Sequence, residues 1–143
     1  MLSTEMDDKI RQHLLKYVDP YLIVVFGSAI NGQFREESDI DLAFLSDRTI
    51  SGYDLYMVAQ SLAGKLGREI DLVDLKKAST VFKAKILGQG KIIYSLSEEK
   101  LADFRIRTFK EYSLLNEERA EIMQNVLARG RVYGRFTSAF AMG

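Results

Sequence analysis

The first apolar residues of the chain recur at intervals of four: Met6, Ile10, Leu14 and Val18. That spacing draws one stripe along a helix, so an amphipathic helix is predicted from Ser3 to Val18, ended by Asp19-Pro20. Tyr21 to Phe26 is continuously apolar and stopped by Gly27, the pattern of a buried strand. A polar stretch from Asn31 to Ser38, with Gly32 as its turn residue, leads to Asp39-Ile40-Asp41-Leu42-Ala43-Phe44-Leu45, whose initial alternation predicts a second strand.

Leu55, Val58, Ala59, Leu62 and Leu66 define a helix over Tyr53 to Leu66, closed by Gly67. Glu69 to Leu75 is a third strand. Ser79 caps a helix running through Leu87 and ended by Gly88 and Gly90, and Lys91 to Tyr94 is a short fourth strand. Ser97-Glu98-Glu99-Lys100 then opens a helical pattern through Leu101, Phe104, Phe109, Tyr112, Leu115, Ile122, Val126 and Leu127 to Gly130. It is read as about thirty residues of helix, or as two helices broken near Leu114–Asn116. Strands alternating with helices through short loops indicate a single α/β (α+β) domain over residues 1–135, in two layers, with a mixed sheet of about four strands. Residues 136–143 form an apolar, weakly patterned tail, expected to be disordered or to dock on a partner.

Composition narrows the chemistry. In 143 residues, 20 Lys and Arg balance 20 Asp and Glu, so no global field favours coating nucleic acid or an anionic membrane. There is no Cys, which excludes a disulfide framework, a thiolate nucleophile and Cys-bound zinc, and the single His, His13, excludes a His-rich metal site. The N-terminus is acidic with no leader-like apolar core, and Tyr21–Phe26 is too short to span a bilayer, so the expected location is the cytoplasm. His13 lies off the Met6/Ile10/Leu14 stripe and is expected on the surface. Two basic clusters stand out, Lys76, Lys77, Lys83, Lys85 and Lys91, then Arg129, Arg131 and Arg135. Each is read as a solvated face, with a surface for polyphosphate or an acidic partner as the alternative.

Gly27-Ser28, ten residues, then Asp39-Ile40-Asp41 carries the chemistry. Residues two apart on a strand share a face, so Asp39 and Asp41 project together while Ile40, Leu42 and Phe44 enter the core. Two carboxylates so placed ask for a cation, and Mg²⁺ combines one or two carboxylates with substrate phosphates. Gly27 lets the backbone and the Ser28 hydroxyl approach a phosphate closely. A phosphate grip beside a metal grip points to nucleoside triphosphate chemistry, which also needs a carboxylate to take a proton from an attacking hydroxyl. Asp71, within the third strand, is chosen for that role; Asp74, near the strand end and followed by Lys76-Lys77, is read as solvated and ion-paired. Four specified residues at this spacing arise by chance on the order of once in several hundred chains of this length.

Phe26-Gly27-Ser28, Asp39-Ile40-Asp41-Leu42 and Ile70-Asp71-Leu72-Val73-Asp74-Leu75 resemble the signature of polymerase-β-type nucleotidyltransferases. More narrowly, they resemble the minimal nucleotidyltransferases, antitoxins paired with HEPN-domain ribonuclease toxins. Leu114-Leu115-Asn116-Glu117-Glu118-Arg119 and Arg129-Gly130-Arg131-Val132-Tyr133-Gly134 look like that subgroup's C-terminal segment. The resemblance implies the polymerase-β-like fold and transfer of AMP from ATP, with two Mg²⁺, onto a tyrosine hydroxyl of a HEPN toxin, neutralising it. It also implies metal ligation by Asp39, Asp41 and Asp71, and nucleotide contacts by Gly27 and Ser28. The loop after Ser28 departs from the family: many relatives carry basic residues near the positions of Ala29 and Asn31, and only Arg35 is basic here, which makes Arg35 the third nucleotide-binding candidate. Two alternatives stand beside this reading: a non-catalytic antitoxin acting by occlusion, and a nucleotidyltransferase for a small molecule. No membrane partner and no direct nucleic-acid binding are expected.

Overall fold

The computed structural model describes residues 2–27 and 39–129. Helix α1 (Thr4–Tyr17) leads to strands β1 (Pro20–Phe26) and β2 (Ile40–Ser46), helix α2 (Gly52–Leu66) and strand β3 (Ile70–Asp74). A single 3-10 turn (Leu75–Lys77), helix α3 (Thr80–Gln89), strand β4 (Lys91–Ser95) and helix α4 (Glu98–Arg129) follow. Serine hydroxyls accept from backbone N–H groups three residues on at the start of all four helices: Ser3 from Met6, Ser51 from Asp54, Ser79 from Phe82 and Ser97 from Lys100. Gly67, at φ 67°, closes α2 in the left-handed conformation that its missing Cβ permits.

The sheet is mixed, in the order β3-β2-β1-β4. β1 runs antiparallel to both β2 and β4, while β2 and β3 are parallel, joined by α2 as the crossover. β1 and β2 are central and apolar on both sides. Ile23, Val25, Ile40, Leu42 and Phe44 join α1 and α2 in one core; Leu22, Val24, Ala43 and Leu45 join Leu75, Ile86 of α3 and Leu101 of α4 in another. Helices thus cover both faces, and the expected two layers become three, because alternate residues of each central strand need separate apolar cover.

Other expectations are corrected in the same way. His13 is 1% exposed, three residues after Ile10 on the buried face of α1. Its ring lies 4.7 Å from that of Tyr17, and Nε2 donates to the Val58 carbonyl across the α1–α2 contact. α3 continues through Gly88 to Gln89, and α4 is one unbroken helix of 32 residues. At 1.5 Å per residue α4 is about 48 Å long, so it outruns the sheet. Its buried residues are Leu101 and Thr108, both in the first third. On the outer strand β4, the Ile93 carbonyl accepts from the Arg11 guanidinium of α1 at 3.0 Å. No helix among the described residues is long and apolar enough to cross a membrane.

Candidate active site

β2 carries the centre of the site. Its register pairs Asp41 with Phe26 on one side and with Asp71 on the other. Leu42 and Leu72, the next register pair, both enter the α1/α2 core, so Asp41 and Asp71 share the opposite face, toward α3. Asp39 precedes β2 by one residue and is exposed, as is Asp71, while Asp41 is half-buried.

Gly27 completes the geometry. Its φ is 72°, and a Cβ at this position would overlap the Asp41 Oδ2 atom. A bare α-carbon is therefore required twice, once by the backbone and once by the carboxylate beside it. Within the protein it is the Asp41 carboxylate that lies against Gly27.

Burial pushes the Asp41 carboxyl above its ordinary range, and the negative charges of Asp71 and Asp39 push it further. Two unit charges about 5 Å apart, the spacing of neighbouring strands, repel by about 3 kcal/mol at an effective dielectric near 20, before solvent screening. Among the described residues no three acidic or histidine side chains converge closely enough to make a ready-made metal cage. The donors are nevertheless all carboxylate oxygens, Asp41 and Asp71 on one face with Asp39 just before β2, the type that suits a hard divalent cation, and mutual repulsion opposes their convergence unless a cation balances it.

Asp74 is corrected. It is 6% exposed rather than solvated; Oδ1 accepts from the Lys76 backbone N–H to cap the 3-10 turn, and Oδ2 has no hydrogen-bond partner among the described residues. Its register partner is Phe44, so it belongs to the face opposite Asp71. Lys76 and Lys77, read as a solvated face, are exposed, and their ammonium groups also bind carbonyls: Lys76 Nζ those of Ser46 and Arg48, and Lys77 Nζ that of Ile50. Ser28 and Arg35, with Arg131, Arg135, Tyr133 and the 136–143 tail, lie outside the described residues.

A cavity of about 280 Å³ opens beside Asp41, lined by Phe26, Gly27, Asp41, Lys85, Ile86 and Gln89. Sequence reading placed Lys85 in a basic cluster and left Gln89 out. The available signal was the α3 spacing: Phe82, Lys85, Ile86 and Gln89 lie at i, i+3, i+4 and i+7, one helix face. Phe82 meets Phe26 edge-on at 5.7 Å between ring centres, which turns that face toward the end of β1.

A mixed sheet with a glycine turn at one strand end and carboxylates on the next two strands is the framework of a nucleotidyltransferase. Residues 8–99 match the family described as polymerase beta, nucleotidyltransferase. The chain belongs to this family. It is 36% identical over 107 residues to the protein adenylyltransferase MntA of Shewanella oneidensis, covering 75% of this chain and 76% of that one. Among solved structures it resembles a chain of a toxin–antitoxin with AMP-PNP, at 35% identity and a TM-score of 0.74, over 85% of this chain and 98% of that one. It also resembles a chain of the tri-AMPylated Shewanella oneidensis HEPN toxin in complex with MNT antitoxin, at 31% identity and a TM-score of 0.72, over 88% and 99% of the two chains.

Proposed function

We propose that this chain is an antitoxin that transfers AMP from ATP to a tyrosine hydroxyl of a partner HEPN toxin and thereby neutralises it. The observation that carries the reading is the Asp41–Asp71 register beside Gly27, on a chain 36% identical to a protein adenylyltransferase. Asp39, Asp41 and Asp71 would hold Mg²⁺, two ions in the fullest form of the site. Bound there, the metal supplies charge neutralisation and alignment of the phosphate oxygens. Gly27 and Ser28 border the triphosphate, with Arg35 as the loop cation. Asp71 takes the proton of the attacking hydroxyl as its oxygen bonds to the α-phosphorus, and the bond from that phosphorus to the bridging oxygen breaks to release pyrophosphate.

The test is incubation with labelled ATP, Mg²⁺ and the toxin encoded beside this chain. Label should reach the toxin with wild-type protein and be lost with the Asp39→Asn/Asp41→Asn double variant. Label that survives in that variant overturns the chemistry.

The exposed apolar residues of α4 favour a second reading. Ile106, Leu114 and Leu127 are 65, 56 and 68% exposed, a surface on which a partner would dock. Full neutralisation by the double variant, with no transfer by the wild type, would make occlusion the mechanism. The cytoplasm, where ATP and an intracellular toxin meet, is the location this function requires.

A further inference from the structure

The carboxylates leave a charge problem on the substrate side. A triphosphate carries about four negative charges into a site that already holds Asp39, Asp41 and Asp71, and the loop after Ser28 has Ala29 and Asn31 with Arg35 as its single base. The geometry points to Lys85 of α3 as a phosphate-positioning residue that binds the β- and γ-phosphates of the nucleotide from across the cavity. This assignment rests on the nucleotide-transfer reading above and adds to it a residue that the glycine-serine and carboxylate motifs do not contain.

Three observations support it. Lys85 is the one cationic residue among the described residues that line the cavity, opposite Gly27 and Asp41. It forms no salt bridge among the described residues, whereas Lys76 and Lys77 of the same basic run are tied to backbone carbonyls. Its helix is also held firmly. Ile86, the next residue, is 2% exposed in the α3/α4 core, and Phe82, one turn earlier, packs edge-on against Phe26. A long, exposed and uncommitted ammonium is thereby carried on a fixed helix to the rim of the cavity, while its four-carbon stem lets the charge follow the phosphates. Lys85 donates to phosphate oxygens that become the leaving pyrophosphate, so its charge also offsets what develops there as the bond breaks.

The experiment measures binding of ATP and of AMP, each in Mg²⁺, to wild-type protein and to Lys85→Gln, Lys85→Arg and Lys83→Gln, by titration calorimetry, with thermal unfolding of each variant alongside. A charge-assisted contact predicts that Lys85→Gln weakens ATP binding by about 10- to 100-fold and leaves AMP binding within about twofold. Lys85→Arg should recover most of the loss. Lys83→Gln, the same charge change on the same helix, should leave both within about twofold. Unchanged ATP binding in Lys85→Gln overturns the assignment alone. Equal weakening of ATP and AMP, or a matching loss in Lys83→Gln, also overturns it, because the effect is then structural or due to net charge. Failure of the wild-type protein to bind ATP overturns the nucleotide reading and this assignment together.

Discussion

Asp41 and Asp71 face one another across the parallel pairing of β2 and β3, on the side of the sheet that α3 covers. Burial raises the cost of ionising the half-buried Asp41, and the charges of Asp71 and Asp39 add to it. A carboxylate held in that position is poor design for stability and good design for a cation. Asp41→Asn should therefore leave the thermal midpoint of the metal-free protein unchanged or higher, while AMP transfer falls by about 100-fold or more, the scale of loss when charge stabilisation at a transferring group is removed. Calorimetry and a labelled-ATP assay on one preparation check both halves.

The same repulsion predicts a metal-dependent stability. Mg²⁺ binding to the folded chain alone should raise the unfolding free energy by about 1.4 kcal/mol at ten times its dissociation constant. The increment should vanish in Asp41→Asn and on addition of EDTA. Denaturant titrations with and without Mg²⁺ measure it, and an equal increment in the variant would place the ion elsewhere.

Gly27 tests the geometry from its other side. Gly27→Ala should destabilise by about 1–2 kcal/mol from the left-handed backbone alone, with further loss from the overlap with Asp41 Oδ2. In an Asp41→Ala background the second contribution should disappear. The two substitutions should thus be strongly non-additive in a double-mutant cycle followed by urea unfolding.

His13 gives the fold a pH dependence independent of the site. Burial lowers its pKa below 6.5; the bond to the Val58 carbonyl opposes the shift, and Lys65 and Lys16 add to it. A carbonyl only accepts, so Nε2 carries the proton and Nδ1, which has no hydrogen-bond partner among the described residues, is bare. The unfolded chain takes up a proton near 6.5 while the folded chain resists, so stability is full above that pH and declines as pH falls below it. In His13→Gln the decline between pH 7 and 5 should be shallower. Unfolding free energies across that range decide it; parallel curves would exclude His13 as the cause.

Most of this fold was legible because the strongest patterns are local. The apolar run Tyr21–Phe26, the Ile40/Leu42/Phe44 alternation and the serine caps at Ser79 and Ser97 each act within a few residues. The placement of Gly27 at a strand end and of Asp41 and Asp71 away from the Leu42 and Leu72 face was legible for the same reason, since strand alternation fixes which face each side chain takes. What escaped depends on packing between distant elements. His13 reads as polar until α2 brings the Val58 carbonyl to it, and a stripe drawn only at intervals of four passes over the residue at i+3 from Ile10. Asp74 reads as ion-paired until the chain turns and its side chain caps the 3-10 turn that follows. Lys85 is one lysine among five until Phe82 and Ile86 fix the rotation of α3 against β1.

The contact between Arg11 and the Ile93 carbonyl has a consequence away from the chemistry. β4 ends the sheet, and an open strand edge is a template on which other chains can add. By occupying a carbonyl there with a guanidinium, α1 sets a charged obstacle on that rim. This small clasp discourages another chain from extending the sheet into a fibre.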